Sequence, residues 1–141
     1  MTTTTERSFV IDAPIEDIWE IISDPAIRAD SISVVEDYEI LNGQAVWHLS
    51  LPIPVVNQTV KVKTRDVKTD PPRYVKFIGS SSVMEVTGEH ELTETPDGCQ
   101  IRVSFRVNGK LPGVERFFSK NIDKEINNLH NRLEKELFES E

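Results

Sequence analysis

Apolar residues between Val114 and about Glu139 recur at Val114, Phe118, Ile122, Ile126, Leu129, Leu133 and Leu137. The steps are four, four, four, three, four and four, which sets them on one face of an α-helix. The opposite face carries Glu115, Lys120, Asp123, Lys124, Asn127, Asn131, Glu134 and Lys135. A helix this long with a single apolar stripe requires a wide apolar partner.

The preceding chain supplies that partner as strands. Arg7 to Ile11 alternates, with Phe9 and Ile11 in phase, and reads as a first strand; the threonine run before it (residues 1–5) is expected to fray. Asp12-Ala13-Pro14 predicts a helix start, with Asp12 or Ala13 as cap and Pro14 at the first helical position. Ile15, Ile18, Trp19 and Ile22 form its apolar face, and Pro25 ends it by excluding Asp24 from the helical region. Asp24 then caps a second short helix, Pro25 to Ala29.

Strands follow at hairpin spacing. Val34 to Leu41 has Val34, Tyr38 and Ile40 in phase, and Asn42-Gly43 is a two-residue hairpin signal. Ala45, Trp47, Leu49 and Leu51 share the next inner face, and Leu51-Pro52-Ile53-Pro54-Val55 breaks into a loop. Gln58 to Val67 turns Val60, Val62 and Thr64 inward and Lys61, Lys63 and Arg65 toward solvent. Tyr74 to Ser80, Met84 to Thr95 and Gln100 to Asn108 complete the set, with turns at Asp70-Pro71-Pro72 and Thr95-Pro96-Asp97-Gly98. The order is one strand, two short helices, six strands and a long helix. Short connections imply an antiparallel sheet and segregated helices imply an α+β fold, the sheet curving around the terminal helix.

At 141 residues the chain is expected to form a single domain, 1–141. Its formal charge of -8 argues against nucleic acid and anionic membrane as partners. One cysteine, Cys99, excludes an intramolecular disulfide. The polar start lacks an apolar signal core, and no apolar run approaches the ~20 residues of a membrane span, so a cytoplasmic protein with no membrane span is expected.

The element order, with the opening Phe9-Val10-Ile11-Asp12-Ala13-Pro14-Ile15-Glu16-Asp17-Ile18-Trp19-Glu20-Ile21-Ile22-Ser23-Asp24-Pro25, resembles the START/polyketide-cyclase (SRPBCC) superfamily. This is the helix-grip fold shared with the birch-pollen allergen. Gly109-Lys110-Leu111-Pro112-Gly113 before the long helix is similar to the carbon monoxide dehydrogenase G branch of that superfamily. That branch has an apolar Pro-Gly early in its second strand, which Ser31 to Glu36 lacks. The resemblance implies an apolar cavity between sheet and long helix that holds a lipid, polyketide or similar molecule. It also admits cyclases or dehydratases, and helpers in protein assembly.

The candidate lining follows from phase. It comprises Phe118, Ile122 and Ile126 of the helix with Trp47, Val62, Phe77, Met84 and Phe105 of the sheet. Tyr38, Thr64 and His90 share the inner phase and offer polar groups. His90 is the weak catalytic candidate, because an imidazole titrates near neutrality. His48 is out of phase with Trp47 and Leu49, and His130 sits at the polar edge of the helix. Three scattered histidines have no carboxylate or cysteine at ligand spacing, so no metal and no cofactor are expected. No nucleophile elbow and no phosphate-binding glycine loop is present. Three readings stand: a binder of a hydrophobic small molecule, a cyclase/dehydratase-type enzyme with His90 as acid–base and Tyr38 orienting, and an assembly factor with an apolar patch near residues 51–55.

Overall fold

The computed structural model describes residues 2–42, 44–53 and 59–138. The chain runs β1 (Thr2–Ile11), α1 (Ile15–Ile22), α2 (Pro25–Asp30), β2 (Val35–Leu41), β3 (Gln44–Leu49), β4 (Val60–Asp70), β5 (Tyr74–Ser80), β6 (Met84–Thr95), β7 (Gly98–Gly109) and α3 (Val114–Phe138). Every neighbouring strand pair is antiparallel, in the order β1-β7-β6-β5-β4-β3-β2. The expected α+β helix-grip architecture is the one observed: a curved open sheet with a long C-terminal helix and two short helices after the first strand.

Two local expectations need correction. Thr2 to Thr5 do not fray but form the first rungs of β1, from Thr2 opposite Asn108 to Thr5 opposite Phe105. Threonine is β-branched and suits a pleated surface, and β7 offers a long edge with unpaired backbone groups. At α1, Pro14 is the N-cap rather than the first helical residue, with φ -63° and ψ 146°. Its carbonyl accepts from the Asp17 and Ile18 amides, so the helix starts without a side-chain cap. Asp24 caps α2 as expected, its carboxylate accepting from the Ala26 amide at 2.9 Å.

Alternation sets the inner face. Ile101, Val103 and Val107 of β7 are buried, as are Met84, Val86, His90 and Leu92 of β6. The exposed stripe Lys61, Lys63 and Arg65 lies on the other side of β4 from the buried Val60, Val62 and Thr64. In β2 the phase is lost at a bulge between Val35 and Asp37, and Ile40 is exposed although it shares a phase with Tyr38. Asn42 takes the positive φ of 55° at the β2–β3 hairpin; Gly43 lies outside the described residues.

α3 buries Val114, Phe118, Ile122, Glu125, Ile126, Leu129 and Leu133. Its C-terminal half packs with α1, β1, β6 and β7; its first turns pack with β3, β4 and the ends of β6 and β7. Two apolar clusters result, and Phe105 is packed against both. Leu129 is 5% exposed within the first cluster. Leu129→Ala should therefore cost about 2–5 kcal/mol in denaturant unfolding. A loss below about 0.5 kcal/mol, the range of a surface change, would contradict the seating of α3 on the sheet.

Candidate functional site

The inner face of the sheet is organised around one ring. Gly88 of β6 stands opposite Phe77 of β5, and a Cβ at Gly88 would lie 2.3 Å from the Phe77 ring. The missing side chain thus lets the ring lie flat over β6. Phe77 meets Trp47 edge-on with centroids at 5.8 Å, Phe105 edge-on at 6.1 Å and His90 in a stack at 6.1 Å. The Arg28 guanidinium sits 5.2 Å from the Phe77 centroid.

Two cavities flank this cluster between the sheet and α3, each of about 20 Å³. That is room for about one water molecule apiece. Trp47, Met84, Phe118 and Ile122 line the first; Phe77, His90, Ile126 and Leu129 line the second. Ile32, Phe105 and Glu125 line both. The phase argument thus brings together Trp47, Phe77, Met84, His90, Phe105, Phe118, Ile122 and Ile126. Tyr38, Val62 and Thr64 line neither cavity. Tyr38 is half-buried opposite Trp47, Val62 is core, and the Thr64 hydroxyl donates to the Ala45 carbonyl at 2.6 Å. Of the expected apolar loop patch, Leu51 is buried, and Pro54 and Val55 lie outside the described residues.

Besides Ser31, whose hydroxyl donates to the Ile27 carbonyl at 2.8 Å, four residues with polar side-chain atoms line the cavities. Arg28 of α2 is 6% exposed, pairs with the Asp66 carboxylate and donates to the Ile22 carbonyl at 3.0 Å. Its charge is therefore answered where it is buried. Glu125 of α3 is also 6% exposed; one oxygen accepts from the Ser33 amide at 2.7 Å and the other from the Ser33 hydroxyl. The other two differ: Trp47 Nε1 and His90 Nδ1 are buried and have no hydrogen-bond partner among the described residues.

Arg28 and Glu125 extend the candidate set beyond the phase argument. Glu125 follows Ile122 by three and precedes Leu129 by four, so spacing alone puts it on the apolar stripe. A charged residue at that position was the available signal. The remaining histidines have partners: His48 is half-buried beside Glu39 at 3.2 Å, and His130 stacks on Phe9 and meets Glu134 at 3.1 Å. Among the described residues no group of three or more His, Cys, Asp or Glu is placed to hold a metal ion. No described helix is long and apolar enough to cross a membrane.

Burial, helped by the Arg28 charge, lowers the His90 pKa from 6.5 to about 3. The ring is neutral at neutral pH. The unfolded chain takes up the His90 proton near 6.5 and the folded chain only near 3, so this contribution to stability is complete above about pH 6.5 and is lost as pH falls toward 3. Between about pH 6 and about pH 5 the native chain should lose about 1 kcal/mol more stability than His90→Gln. Urea unfolding at the two pH values measures this, and equal losses would show that His90 titrates like a solvated histidine.

A family model and solved structures place the chain. A family model described as polyketide cyclase / dehydrase and lipid transport matches residues 2–134. No curated protein matches the chain. Among solved structures, a conserved protein from Geobacillus kaustophilus is similar, with a TM-score of 0.79 and 18% identity over 98% of this chain and 97% of its own. The Zhui aromatase/cyclase from Streptomyces sp. R1128 is similar at a TM-score of 0.72 and 16% identity, covering 97% of this chain and 96% of its own. A START superfamily protein from Mycobacterium smegmatis is similar at 0.72 and 16%, covering 94% and 97%. At these identities the structures speak for the fold, while the family match spans nearly the whole sequence. The chain belongs to the family of polyketide cyclases, dehydrases and lipid-transport proteins.

Proposed function

We propose that this chain binds one hydrophobic small molecule, a lipid, polyketide or similar compound, between the sheet and α3. The observation that carries the reading is a pair of buried polar atoms with no partner among the described residues, Trp47 Nε1 and His90 Nδ1, each on a residue lining one of the two apolar cavities. A buried polar atom without a partner costs about 1–3 kcal/mol. A largely apolar ligand with polar atoms at two places relieves that cost and fills both cavities. The family description supports a hydrophobic ligand at the same coarse level.

The cyclase or dehydratase alternative draws less support. A general acid or base works best with a pKa near the working pH, and His90 sits near 3. The group is suited to accepting or donating a hydrogen bond while neutral. The assembly-factor alternative has no specific observation behind it.

Native mass spectrometry of freshly purified protein, followed by extraction, tests the binding reading. A defined apolar compound that leaves on denaturation is expected. Trp47→Phe, which removes the N–H donor and keeps the ring, should weaken that ligand about tenfold. His90→Gln should weaken it only a few-fold. A clean unliganded mass, with no thermal shift across a lipid and polyketide panel, would sink the proposal.

A further inference from the structure

Four residues of the cavity walls lie outside the sheet and α3: Arg28, Ser31, Ile32 and Val34. They belong to α2 and to the turn, residues 31–34, that joins it to β2. The other lining residues stand on α3 or on β3, β5, β6 and β7, each of which has a hydrogen-bonded strand on both sides. An opening through those walls breaks sheet ladders or lifts the apolar stripe of α3. An opening at the turn breaks far less.

The turn is also a thin wall. Outside it runs a surface groove of about 270 Å³, with Asp30, Ser31 and Ser33 on one bank and Asn128, Asn131 and Arg132 of α3 on the other. Ser31 lines both this groove and the second cavity, so the turn alone separates them there. Arg28 anchors one end of the stretch through Asp66, and the Val34 carbonyl anchors the other by accepting from the Ser50 amide at 2.9 Å. Between these anchors the ties to α3 are polar. Ser33 donates its amide, at 2.7 Å, and its hydroxyl to Glu125, and Asp30 pairs with Arg132. Water replaces such bonds when the turn lifts, which keeps the cost of opening low. The apolar residue between them, Ile32, is only half-buried. We infer that turn 31–34 is the gate through which a ligand passes between groove and cavities, with Ser33–Glu125 and Asp30–Arg132 as its latches. This rests on the reading that a hydrophobic ligand occupies the space between sheet and α3.

Two measurements on the full chain test the gate. In native-state hydrogen exchange the Ser33 amide should open locally, exchanging at least about tenfold faster than the ladder amides of β6 and β7 and independently of low urea. Exchange of Ser33 only through global unfolding overturns the gate, whether or not a ligand binds. The second measurement is stopped-flow binding of the neutral dye N-phenyl-1-naphthylamine. Ser33→Ala and Arg132→Gln should each raise the entry and exit rates together by about threefold to tenfold, with Kd changed less than about twofold, because neither residue lines a cavity. Asn128→Trp, which fills the groove, should slow both rates. Arg7→Gln, which removes the β1–α3 pair with Asp123 instead, should leave them unchanged. Native rates in folded Ser33→Ala and Arg132→Gln, or in folded Asn128→Trp, place the entry elsewhere and overturn the gate while binding stands. An equal acceleration in Arg7→Gln overturns it too, since any loosening of α3 would then suffice. If the dye does not bind the native chain, although Ser33 exchanges locally, the binding reading itself fails, and this inference with it.

Discussion

The structure depends on the burial of one helix stripe against one sheet face. α3 is 25 residues long, and its apolar positions gain nothing from the helix itself. Their stabilisation comes from removal of apolar surface from water, roughly 25 cal/mol per Å². The sheet answers with its inward residues, but it does so in two patches. One patch holds the C-terminal half of α3 with α1, β6 and β7; the other holds its first turns with β3 and β4. Where the patches meet, packing is incomplete, and both cavities lie there. The candidate site thus follows from how one helix is shared between two parts of a curved sheet.

That origin explains what the sequence reveals and what it conceals. The strands from β5 to β7 are legible because inward and outward residues alternate along most of their length, as in Ile101, Arg102, Val103, Ser104, whereas in β4 the alternation stops after Thr64, before a bulge between Asp66 and Lys68. The long helix is legible for the equivalent reason at a period near four. β1 is half legible: alternation marks Phe9 and Ile11, but the threonines join the strand only because β7 reaches Asn108 and Gly109. The apolar lining follows from phase as well. The polar groups are the hidden part. Glu125 has the spacing of a buried residue and the chemistry of an exposed one. Its partner Ser33 lies 92 residues away in sequence, where no periodicity points. Arg28 and Asp66 show the same conflict across 38 residues. Whether an inward polar atom is satisfied is decided by distances that only the folded chain contains, as the contrast between Thr64 and His90 shows.

The proposed site would differ from a merely imperfect core in its polar groups. Random packing faults in a core leave apolar voids, and apolar voids stay empty. Here the residues that line the gaps include Glu125, Trp47 and His90, drawn from different elements: α3, β3 and β6. The Arg28–Asp66 pair shows that this core satisfies buried charge internally where a partner is provided. Among the described residues Trp47 Nε1 and His90 Nδ1 have no such partner, and the proposed ligand would supply one.

Volume sets the remaining constraint. At about 20 Å³ each, the cavities admit a ligand only if the groups between them give way. The partition is Phe105 with Ile32 and Glu125. Phe105 is only half-buried, and its contact with Phe77 is edge-on at 6.1 Å. Such an aromatic contact is worth about 0.5–1.5 kcal/mol beyond the area it covers. Burying about 100 Å² of apolar ligand surface yields about 2.5 kcal/mol before ordering costs. A ligand that displaces the Phe105 ring has to offset both this contact and the area the ring covers, which favours one long enough to reach both sides of it over one small enough to stay on either. The closed partition favours an elongated ligand for the same reason that it makes the empty space look small.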